Sequence, residues 1–452
     1  NTGGTGKGVI FVSNKASKEG GAIYTTGTTT INAGLFGKRF DNGTLAVNYT
    51  DTDSNQMGGA IAVGGGSLVI ANGDDSTSKI NFNDNYSVNG GALAVTGGTV
   101  EIKDSTKVTF TQNSACGGNG GAIYVSGGTV DIAANFQNNK AKNGGAIATA
   151  GGTTNFNGGT MTDHKYNHLG GAITNGGAVY VGGGSFNMAQ GTIGATATTA
   201  AKEEHCSNKA NLGGGVYVEG GGTFTMQGQE TSLISYNYAT EGGGVYVNGG
   251  TFYLLGGNIK YNGAKTGGGG LYMNGGKAYD KVGTQTQSYS IFGNTADKGG
   301  GVYLNGTVTW EFAGNNQDHT IQENTATSSG GGMFIAEGTS RVTVNSYFTG
   351  NTTNGNGGGI FAGSTFKFTG KIYGSKDDNG NLKTVAQKGG GIYLTAGDST
   401  IGGTLSELQA SNGGAVYAEG SITFSGTAYG NNATTDGGAL YLAAGGTIAA
   451  DA

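Results

Sequence analysis

Residues 110–126 read FTQNSACGGNGGAIYVS, and this stretch holds two strings whose recurrence decides the architecture. The first is a ring or aliphatic residue, two variable positions, Asn, and Ala two places later: Phe110…Asn113-Ser114-Ala115. The second is Gly-Gly, a small residue, an aliphatic residue and then a ring or Ala: Gly120-Gly121-Ala122-Ile123-Tyr124. Outward from here the second string recurs fifteen times, from Ile23 through Val216 and Val302 to Leu440, at intervals of 24 to 38 residues. The first string precedes most copies, as Phe11…Asn14, Phe136…Asn139, Ile234…Asn237, Ile291…Asn294 and Ile321…Asn324. Between them lies Gly-Gly-(Ser/Thr) followed by alternating apolar residues, as in Thr99-Val100-Glu101-Ile102 and Thr223-Phe224-Thr225-Met226. Each repeat thus carries three short period-2 segments separated by Gly or Asn corners, which is a strand pattern.

Three strands every 24 to 38 residues predict one coil of a parallel β-helix per repeat, about 15–16 coils in all. The expected domain is a single continuous β-helix over 1–452, with longer loop insertions near 31–57, 186–206, 277–290 and 374–387. Only Ala195–Glu204 has a composition able to hold a turn of helix. The composition agrees: 97 of 452 residues are Gly and none is Pro. Average usage would give roughly 32 Gly and 23 Pro at this length. In a solenoid every inner strand pairs on both sides, so a Pro would delete a ladder bond. Corners with positive φ favour Gly and, next, Asn, whose stacked side chains can hydrogen-bond along the axis. Collagen is excluded by the missing Pro. The net charge of −5, with 12% charged residues, leaves no basic footprint for nucleic acid. No run of 18 apolar residues predicts a membrane-spanning helix.

The paired strings Phe-x-x-Asn-x-Ala and Gly-Gly-Ala-(Ile/Val/Leu) resemble the repeat of the chlamydial polymorphic membrane proteins, from Phe11 to about Ile448. From Gly214 onward the coils mostly carry Gly-Gly-Gly in place of Gly-Gly-Ala. The resemblance implies a right-handed β-helix passenger, exported and displayed on the cell surface, commonly as an adhesin. Signal peptide and anchor are expected to lie outside this sequence. The expected partners are a host-cell or surface ligand, or a second copy stacking end to end through uncovered terminal strands.

The ring after each inward aliphatic residue forms the candidate interaction strip: Tyr217, Tyr246, Tyr272, Tyr303, Phe334, Phe361 and Tyr393. An external aromatic ladder would offer contiguous apolar surface. The competing reading is that each ring covers bare Gly, with Gly244, Gly270, Gly301 and Gly332 expected on the same face. His164, His168, His205 and Cys206 are the residues that zinc would accept, but no second paired spacing supports a site, and surface-loop histidines are the expectation. Cys116 and Cys206, separated by about three coils, are expected to remain free thiols. Asp51-Thr52-Asp53-Ser54-Asn55 starts like a calcium loop, yet Gln56 and Ala62 stand where Gly and Glu are required. Asp74-Asp75 and Asp377-Asp378 read as solvated loops. A carbohydrate-binding or carbohydrate-cleaving β-helix enzyme is the alternative; cleavage needs clustered carboxylates with Arg or Lys, and the two arginines, Arg39 and Arg341, lie far apart. The Ser67, Thr99, Thr129, Thr223 and Thr251 row, which ice binding would use, equally suits turn chemistry. The sequence therefore predicts a non-catalytic extracellular structural or adhesive rod without cofactor or metal.

Overall fold

The computed structural model describes residues 9–37, 39–41, 44–51, 56–70, 79–167, 169–281, 287–312, 318–376, 378–395, 397–443 and 446–449. These residues form strands and turns, with no helix among them. The fold is an all-β parallel β-helix: strands from successive repeats pair in parallel and in register. The chain forms two compact units, one comprising Asn1–Ala195, Cys206–Gln227 and Thr231–Leu233, the other Thr196–His205, Gly228–Glu230 and Ile234–Ala452.

In the first unit the aliphatic strands align Ile61 with Leu93, Leu93 with Ile123 and Ile123 with Ile147. The Gly-Gly-(Ser/Thr) strands align Ser67, Thr99, Thr129 and Thr153, and the third strands align Phe36, Phe82, Phe110 and Phe136. These four phenylalanines are fully buried, and their rings stack at 4.6–4.9 Å. The spacing is that of neighbouring strands, so in-register repetition stacks identical side chains as a ladder does in cross-β structures. In the second unit Val245, Leu271, Val302, Met333, Ile360, Ile392, Val416 and Leu440 align in the same way. The third strands of this unit align Ile259, Ile291, Ile321, Phe348, Ile372 and Leu405.

The Asn of Phe-x-x-Asn-x-Ala closes the corner after the third strand. In the first unit Asn85 donates both its backbone N–H (3.0 Å) and its Nδ2 (2.8 Å) to Oδ1 of Asn113. Asn113 does the same to Asn139. Each Nδ2 also donates to a carbonyl one coil back, Asn113 to Phe82 and Asn139 to Phe110. The second unit repeats this through Asn237, Asn262, Asn294, Asn324 and Asn351. The expected axial Asn ladder therefore exists, and it is buried. The residue before most ladder Asn residues has positive φ, yet it is rarely Gly: Ser13, Asp84, Gln112, Asn138, Tyr236, Tyr261 and Glu323 lie at φ 51–60°. A left-handed L-residue costs roughly 1–2 kcal/mol, which the hydrogen bonds of the ladder offset.

The four expected insertions contain more regular structure than their composition suggests. Gly34–Gly37 is a strand of the inner column, and Arg39–Asp41 with Thr44–Ala46 makes an antiparallel hairpin. Gly191–Gly194 and Lys277–Tyr279 are likewise strand. Ala195–Glu204 holds no helical turn: Lys202 and His205 exchange two backbone hydrogen bonds at 3.1 Å, closing a tight turn that satisfies both residues locally. Lys376 and Leu382 form an antiparallel bridge within 374–387.

The glycines after each Gly-Gly pair in the second unit do not share the face of the rings. A Cβ on Gly301 would lie 2.6 Å from the Gly332 carbonyl oxygen and 2.9 Å from Nδ2 of Asn324. On Gly332 it would lie 2.8 Å from Phe348 Cδ1. These positions face the Asn ladder and the core, because the Gly-Gly corner interrupts the alternation that would have turned them outward. In the first unit Ala60, Ala92, Ala122 and Ala146 fill the equivalent site, fully buried. Gly301→Ala is expected to destabilise the second unit by about 1–3 kcal/mol, because backbone atoms must give way; denaturant unfolding monitored by circular dichroism checks this.

Candidate functional site

Within each unit the structure places the rings of the strip in a column directly after the aligned aliphatic residues. In the second unit Tyr246, Tyr272, Tyr303, Phe334, Phe361, Tyr393, Tyr417 and Tyr441 form an unbroken stack with centroids 4.5–5.2 Å apart. Interplanar angles are 5–21°, so each ring lies face to face on the next. In the first unit Tyr180 stacks on Tyr217 at 5.7 Å. Below them the column is interrupted by Ala62, Ala94 and Ala148, which leaves Tyr24 54% exposed.

Stacking changes what the strip offers to solvent. Tyr217, Tyr246, Tyr272, Phe334 and Tyr393 are each at most 7% exposed, and Tyr303 and Phe361 are half-buried. Ring faces are consumed by ring faces, so solvent meets edges. The rings also cover glycine, as the alternative reading expects, but a different glycine: a Cβ on Gly267 would lie 2.7 Å from Tyr303 Cδ2. Long polar side chains close the flanks. Lys298 lies 5.4 Å above the Phe334 ring and Lys388 4.7 Å above Tyr417, cation–π contacts of modest strength at the surface. The Tyr180 hydroxyl donates to Glu219 at 3.2 Å, and that of Tyr393 to Glu419. Burial raises the phenol pKa of Tyr272, Tyr303 and Tyr393, the carboxylates Glu241 and Glu419 adding to it. Burial likewise holds Glu241 above the usual carboxylate range against hydrogen bonds from Thr266 and Tyr246.

The other sequence candidates do not converge. His164, expected on a surface loop, is instead fully buried. It stands at the ladder position of its coil, where Nδ1 accepts the Asn139 backbone N–H at 3.0 Å. Nothing in the sequence string flags it, because the coil lacks Phe-x-x-Asn; only the preceding Asp163, at φ 62°, matches the corner geometry. His168 lies outside the described residues, as do Thr52–Asn55, Asp74-Asp75, Asp377 and the Arg39 side chain. Among the described residues no three His, Cys, Asp or Glu are grouped to hold a metal ion. Neither Cys116 nor Cys206 is joined in a disulfide. Asp51 pairs with Lys15 at 2.6 Å. Ser67, Thr99 and Thr129 each open a strand, donating the backbone N–H to a Gly carbonyl one coil back.

The family model described as the Chlamydia polymorphic membrane protein (Chlamydia_PMP) repeat matches residues 8–26 and 107–126. No curated protein and no solved structure shows significant similarity to the chain. Both matched stretches contain the ladder Asn and the Gly-Gly corner seen throughout the two units, and the chain carries repeats of the chlamydial polymorphic membrane protein type.

Proposed function

We propose that the chain is a surface-displayed β-helix passenger with a structural and adhesive role and no catalytic activity of its own. The observation that carries the reading is the family repeat itself, set in coils whose side-chain ladders are spent on self-stacking. Repetition of this kind favours an extended scaffold built coil by coil, each stabilised by its neighbours. The charged groups support the non-catalytic part: Lys15 with Asp51, Lys107 with Asp104, Lys165 with Asp163 and Lys376 with Glu407 are separate, partly solvated pairs. Surface pairs of this sort serve solubility more than chemistry. Antibodies raised against the purified chain are expected to label intact producing cells, and added protease to remove that label. Labelling seen only after permeabilisation overturns the reading. Beads coated with the chain are further expected to adhere to target cells above beads coated with an unrelated β-solenoid.

A further inference from the structure

A groove on the first unit, away from the ring strip, combines aromatic and polar groups. One wall is a column set by parallel pairing: Tyr49 aligns with Tyr86, Tyr86 with Ser114 and Ser114 with Lys140. The other wall comes from the residues just before the ladder positions, Asp84 and Gln112, at φ 53° and 55°. The ladder side chain that follows each of them is buried, while Asp84 is half-buried and Gln112 exposed. Together with Val47 these six residues line a concavity of about 480 Å³. Through Gln112 it adjoins a second one of about 400 Å³, lined by Gln137, Asn138, Asp163 and Lys165. The two cover five successive coils, four steps of about 4.8 Å or roughly 19 Å along the strand-stacking direction.

We propose that this groove binds a linear, uncharged glycan, laid along the stacking direction with about one sugar per coil. Three features favour that occupant. Tyrosine offers apolar ring surface together with a polar hydroxyl, which matches the mixed character of a pyranose. Beyond the two rings the lining turns polar, with a carboxylate at Asp84, amides at Gln112, Gln137 and Asn138, a hydroxyl at Ser114 and amines at Lys140 and Lys165, groups that fix the orientation of a sugar through paired hydrogen bonds. Charge is balanced, with Asp84 and Asp163 against Lys140 and Lys165, so the groove carries no net field to select a polyanion. The inference goes beyond surface display and does not depend on it, since it concerns binding by the purified chain alone.

Isothermal titration of the full chain with cello-, xylo- and chito-oligosaccharides of two to six sugars tests it. The expected result is binding of at least one series, with affinity rising with length up to about five sugars, the number of coils lining the groove, and then levelling off. Tyr86→Ala is expected to weaken that binding at least tenfold and Gln112→Ala several-fold. Tyr24→Ala, at an exposed ring outside the groove, is expected to leave it unchanged. Gln112 is exposed, so its variant folds even where the Tyr86 variant does not, which thermal melts establish. No binding by any series at millimolar ligand overturns the proposal. So does equal binding by the Gln112 variant, or preference for a sulfated oligosaccharide over the neutral probes. Unchanged oligosaccharide length after incubation is expected; shortened products would overturn the non-catalytic reading and leave the binding site in place.

Discussion

Replacing Asn294 by Ala is expected to lower the stability of the second unit by about 3–5 kcal/mol, the summed cost of stranding several buried polar groups. Asn294 Oδ1 accepts the Asn262 backbone N–H at 2.9 Å and Asn262 Nδ2 at 3.1 Å. Its own Nδ2 donates to Asn324 Oδ1 at 3.0 Å and to the Ile259 carbonyl at 2.9 Å. All three asparagines are fully buried, so water cannot replace what is lost. Asn294→Asp keeps the shape and the acceptor but faces Asn324 Oδ1 and the Ile259 carbonyl without a donor, so it is expected to be no better. Since coils interact chiefly with their neighbours, the damage is expected to be local. Hydrogen exchange should accelerate in strands Gly257–Lys260, Tyr289–Phe292 and His319–Gln322 before it does elsewhere. A loss below about 1 kcal/mol, the worth of one ordinary hydrogen bond, would remove the ladder from its assigned role.

The second large effect is on pH, at His164. Its backbone N–H donates to Asn208 Oδ1 at 3.1 Å, and its Nδ1 accepts from Asn139. Nδ1 also lies 3.3 Å from the Asn139 carbonyl oxygen, while Nε2 has no hydrogen-bond partner. Burial pushes the imidazole pKa down from 6.5 to about 4, the Asn139 carbonyl beside Nδ1 and the Asp163 carboxylate opposing this more weakly. Asp163 is itself paired with Lys165 at 3.5 Å. Between these two pKa values the unfolded chain binds a proton that the folded one refuses. The contribution is thus fully present above pH 6.5 and is lost progressively as pH falls towards about 4, by about 3 kcal/mol in all. His164→Asn is expected to abolish this slope. It also restores the ladder, adding a donor for the Phe136 carbonyl by the pattern of Asn113 and Asn139. Chemical denaturation of both proteins across that pH range measures the difference; parallel slopes would show that the imidazole is not the titrating group.

Much of the coil was legible before any geometry. Phe110…Asn113 and Gly120-Gly121-Ala122-Ile123 mark strand, corner, strand in order, because each corner demands a particular residue and each strand a period of two. The column of rings from Tyr246 to Tyr441 was equally readable, since a repeat in register places like on like. What the strip exposes was not readable. Whether a ring shows its face or its edge depends on the spacing to the ring above, a distance that pairing imposes across 24 to 32 residues of chain in this column. His164 escaped for a related reason: one histidine in a degenerate coil carries no string, and only the neighbouring coils reveal that its position belongs to the ladder. The groove of Tyr49, Tyr86 and Gln112 was invisible too, because its walls join residues that no single repeat brings together.

The sequence by itself determined the coil, the inner Phe and Ile columns, the Asn corners and the absence of Pro from every strand, since these follow from backbone sterics and hydrogen-bond supply. Only the tertiary structure decided the use of each surface. It turned Gly301 and Gly332 towards the core, closed the aromatic strip upon itself, buried His164, and left the open concavity on the first unit. Those outcomes depend on packing between coils, where distances of a few tenths of an ångström separate a contact from a clash, and periodicity alone does not encode them.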